Sequence, residues 1–68
     1  MGRMFQALKQ IDAVIAEQGL DRFRTRGLIS LKLGFMVGLI SEDTPDDPEK
    51  LQALLDAAEE VLGVRIQV

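Results

Sequence analysis

Three arginines alternate through Arg22-Phe23-Arg24-Thr25-Arg26. A guanidinium binds carboxylate or phosphate through two parallel N–H donors, so the cluster is a candidate for recognising anions. Asp21 before it is a natural helix N-cap, which places the cluster at a helix start where free backbone amides add to the attraction. On that helix Arg22 and Arg26 share a face, with Arg24 opposite. Positive charge at a helix N-terminus opposes the macrodipole, so helix stability does not explain the placement. Pairing of Arg22, Arg24 and Arg26 with carboxylates, in the acidic second half of the chain or on a partner, is the expectation. The alternative is a small dimeric DNA-binding transcriptional regulator whose arginines hold phosphates. A net charge of −3 and an isoelectric point near 4.7 weigh against an autonomous nucleic-acid binder.

The opposite charge collects in Ser41–Glu49, "SEDTPDDPE". Five carboxylates in nine residues raise the question of calcium. The spacing fails an EF-hand, having no alternating acidic ligands, no glycine at the turn and no glutamate at the twelfth position. The expectation is a polar loop that supplies helix caps and favourable charge at a helix N-terminus.

Catalysis is poorly supplied. The chain has no His, Cys, Tyr, Trp or Asn. Acid–base work would fall to Asp, Glu or Lys, and Ser30, Ser41, Thr25 and Thr44 lack an imidazole to activate them. No phosphate-binding glycine loop is present. A zinc site needs His or Cys. The expectation is therefore no enzyme, no cofactor, no metal and no small-molecule substrate.

The elements that carry these residues follow from apolar spacing. Arg3–Gln18 places Met4, Leu8, Ile11 and Ile15 three and four apart, a helix with one dry face. Gly19 and Leu20 suit a Schellman ending. Pro48–Leu62 repeats the pattern with Leu51, Leu54, Ala58 and Leu62, has Asp47 as N-cap and Pro48 at the first position, and stops at Gly63. Val64–Val68 alternates apolar and polar residues, which is strand-like in a short tail.

The middle segment admits two periods. As a helix over Arg22–Ile40, it is apolar on nearly every side, with Leu28, Leu31, Phe35 and Leu39 on one face and Gly34 and Gly38 four apart. As extended chain, its odd positions read Phe23, Thr25, Gly27, Ile29, Leu31, Leu33, Phe35, Val37, Leu39. Leu and Met favour the helix; three glycines oppose it. The helical reading gives an all-α, compact three-helix domain with a short C-terminal tail. The other gives an α+β fold with strands from 23–40 and 64–68.

Sixty-eight residues make a single small domain, 1–68, whose core alone is marginal. Without cysteine, disulfides cannot reinforce it, and the composition fits a cytoplasmic protein. Residues 1–10 carry no apolar run of the secretory type. Gly27–Ile40 is interrupted by Lys32 and too short to span a bilayer. Residues 1–41 hold six basic and three acidic groups, residues 42–68 two basic and eight acidic, a split that allows self-complementation. The surplus apolar surface points to a homodimer. Leu28, Leu31, Phe35 and Leu39 would form its seam, with close approach across Gly34 and Gly38. The function implied is a non-enzymatic interaction or regulatory module that also docks another protein.

Overall fold

The computed structural model describes residues 2–68; Met1, part of the region read for a leader, lies outside them. Its order is α1 (Arg3–Glu17), α2 (Arg22–Leu33), a single 3-10 turn (Val37–Leu39) and α3 (Pro48–Leu62). Among the described residues there is no strand. The all-helical reading holds and the strand alternative does not describe this chain.

The ends of the helices form as their residues dictate. Gly19 takes φ +68°, and its amide donates to the Ala16 carbonyl while that of Leu20 donates to Ile15, at 3.1 and 3.0 Å. That pair of bonds is a Schellman closure. Asp21 accepts from the Arg24 amide at 2.8 Å and Asp47 from Glu49 and Lys50, so both expected N-caps are made.

Helix α2 is shorter than the apolar run suggests. Expected to reach Ile40, it stops at Leu33, because Gly34 turns into the left-handed region at φ +78°. The Gly34 amide still reaches the Ser30 carbonyl at 2.9 Å. Ser30 then holds the reversal: its hydroxyl donates to the Arg26 carbonyl at 2.8 Å and accepts from the Val37 amide at 3.1 Å. The break brings Val37 and Ile40 into the core, where a straight helix would carry them away at 1.5 Å per residue.

The core joins Met4, Leu8, Ile11 and Ile15 of α1 to Leu51, Leu54, Ala58 and Leu62 of α3, with Ile29, Val37, Ile40 and Ile66 closing it. Two polar contacts align α1 with α3. Near their N-termini, Asp46 accepts from the Met4 amide at 3.1 Å; near their C-termini, the Gln18 side chain donates to the Leu62 carbonyl at 3.1 Å. The two helices therefore run side by side in the same direction, and α2 packs across them. The tail is not a strand. It runs back toward α1, burying Ile66 and bringing the Val68 carbonyl within 3.4 Å of Arg3. Among the described residues no helix is long and apolar enough to cross a membrane.

Candidate interaction surface

The side of α2 that meets the core is Thr25, Ile29 and Leu33, four apart. A helix with 3.6 residues per turn then turns Phe23, Gly27 and Leu31 away from the core, with Leu28 beside them. The exposures follow this geometry: Phe23 86%, Leu31 82% and Leu28 48%. Beyond the Gly34 reversal the apolar surface continues through Met36 at 65% and Leu39 at 76%. Leu31, Gly34, Phe35 and Met36 line one shallow depression over α2. Phe35, Met36 and Leu39 also line a second groove of about 290 Å³ against Pro45 and Lys50.

The structure leaves Leu28, Leu31 and Leu39 in water, while Phe35, which shares a depression with Leu31 and a groove with Leu39, turns inward. That ring is half-buried against the core, with Lys50 Nζ 5.9 Å from its centre. Gly34 and Gly38 do not form a stripe on one helix. Gly34 ends α2, and a side-chain carbon at Gly38 would meet Arg26 of the same chain at 3.7 Å. The close approach expected across that pair is corrected, because the helix that would align them ends before either. Gly27 is the glycine that stays inside α2 and faces outward, and nothing lies within 4 Å of where its Cβ would be.

The arginine cluster is split by the fold. Arg26 lies against Asp12 of α1, Nε to Oδ1 at 2.9 Å and Nη2 to Oδ2 at 2.5 Å. Both side chains are about three-quarters buried, at 25% and 24% exposure. The hydrogen bond to Asp12 raises the Arg26 pKa, with burial acting the other way. Its partner is thus in the basic first half of the chain, not in the acidic second half. Arg22 and Arg24 are exposed and form no ion pair among the described residues.

The acidic loop serves as caps, and one of them joins distant segments. Asp47 caps α3 and Asp46 caps α1 from forty-two residues away. The Met4 amide, then the Arg3 amide, hold the Asp46 carboxyl below its ordinary pKa. A Cβ at Gly2 would lie 3.0 Å from Asp46 Oδ1, so any larger residue at the meeting point would have to push the capping carboxylate aside. Among the described residues no three acidic groups converge as metal ligands. Phe23 and Met36 were not among the residues the sequence singled out. For Phe23 the signal was the four-residue spacing of Thr25, Ile29 and Leu33, which fixes the outward face of α2; Met36 lies beyond the helix end, where that spacing says nothing.

No protein-family model, no curated protein and no solved structure matches this chain.

Proposed function

We propose that this chain is a small, non-enzymatic interaction module that self-associates through the outer face of α2 and the turn beyond it, and that docks a protein partner. The observation that carries this reading is the exposure of Phe23, Leu28, Leu31, Met36 and Leu39, of which Leu31 and Met36 line one depression and Met36 and Leu39 a second. Exposed apolar surface of this extent marks a binding face on a small protein. Arg22 and Arg24 are exposed on opposite sides of the first turn of α2, where each guanidinium offers a carboxylate contact as the apolar face is covered. The cysteine-free composition fits action in the cytoplasm. Use of the cluster as a DNA reader is not favoured, since Asp12 already occupies one of its three arginines.

Phe23→Asp and Leu31→Asp place charge on the face without touching the core. Each should raise the self-association Kd at least tenfold in sedimentation equilibrium, with unchanged far-UV circular dichroism. Undiminished association in both would contradict the assignment of the face.

A further inference from the structure

We propose that two copies pair α2 against α2 in an antiparallel sense, crossing at Gly27, so that Phe23 of each copy lies on Leu31 of the other. This arrangement rests on the self-association proposed above and specifies its geometry.

Three observations select it. The first is the pattern itself. Phe23, Gly27 and Leu31 are spaced four and four on the face opposite the core. Under a two-fold axis through Gly27 the pattern maps onto its own complement, as an isologous interface requires. Leu20, 43% exposed ahead of α2, then comes to the end where the other copy's Met36 stands.

The second is Gly27. Glycine within a helix is less favourable than alanine, and here no internal contact requires it. Its φ is not positive, and a Cβ would meet nothing within 4 Å. A second backbone approaching from outside gives the missing side chain a purpose, because small residues at a crossing let two helices come close.

The third is area and charge. Taking about 200 Å² for a fully exposed large apolar side chain, Phe23, Leu28, Leu31, Met36 and Leu39 leave on the order of 700 Å² in water. A standard interface covers about 800 Å² on each partner. A parallel pairing would set Arg22 and Arg24 of the two copies against each other. The antiparallel one moves them to opposite ends of the seam, away from each other. Lys32, which would lie at the same end as the other copy's Arg22 and Arg24, is neutralised by Glu60 at 3.3 Å in its own chain.

The chain has no cysteine, so single-cysteine variants report on the seam directly. A mixture of Phe23→Cys and Leu31→Cys should form an oxidised heterodimer in far greater yield than either variant forms alone. Gly27→Leu should raise the dimer Kd at least tenfold while its circular dichroism shows helix content equal to or above that of the native chain. If Phe23→Cys and Leu31→Cys each cross-link to themselves in preference to each other, or if Gly27→Leu associates as tightly as the native chain, the antiparallel seam is wrong and self-association stands. If the native chain is monomeric at millimolar concentration, the self-association fails and the seam with it.

Discussion

Arg26 and Asp12 meet through two contacts at the edge of the core, a geometry that fixes how α2 sits on α1. Partial exposure on both sides limits its strength. Asp12→Ala should lower stability by about 1 kcal/mol in urea unfolding, and a double-mutant cycle with Arg26→Ala should return most of that as coupling. Asp46 gives a pH signature. Its carboxyl is held below the usual range by the amides it caps, so it favours the fold only when ionised. Its contribution is complete above the unfolded pKa near 4 and is lost as pH falls through the lower folded value. Comparison of native chain and Asp46→Ala by urea midpoint should show a steady gap above about pH 5 that closes in acid. A gap independent of pH would mean that Asp46 acts through packing alone.

At the scale of the element, two glycines of α2 separate two roles. Gly34 holds a left-handed φ, so Gly34→Ala should destabilise the fold by about 1 kcal/mol. Gly27 sits in regular helix with open space beyond it, so Gly27→Ala should stabilise the isolated fold by roughly 0.4–1 kcal/mol. Thermal unfolding of dilute samples checks both signs. The helix starts and the stops at Gly19 and Gly63 were legible in the sequence because their chemistry is local: an Asp side chain reaching amides two and three residues on, a glycine closing the last turn. The end of α2 was not. Leu, Met and Phe continue on both sides of Gly34, and the turn that Gly34 makes is held by the Ser30 hydroxyl bridging Arg26 and Val37 across the break. The tail escaped for a related reason. Val64–Val68 alternates like a strand, yet its one buried side chain, Ile66, is claimed by the helices and not by a neighbouring strand. Of the candidate surface, Leu28, Leu31 and Leu39 were visible as apolar residues without a place in a three-helix core. The long-range partners Asp12 and Asp46 carried no local signal.

At the scale of the molecule, the residues that hold the fold are not those of the proposed association face. Leu54 is fully buried between the helices, and Leu54→Ala should cost about 2–5 kcal/mol in denaturant unfolding. Leu31→Ala should stay within about 0.5 kcal/mol of the native monomer and still weaken self-association. A small domain that keeps its core on α1 and α3 can turn most of the outer face of α2 to a partner, and Arg22 and Arg24, which form no ion pair among the described residues, open the same helix. The measurement that bears most directly on this account is solution mass by light scattering over a dilution series of the native chain. A dimer that dissociates on dilution, with helical circular dichroism preserved, is the predicted result. A folded monomer at every concentration would contradict it.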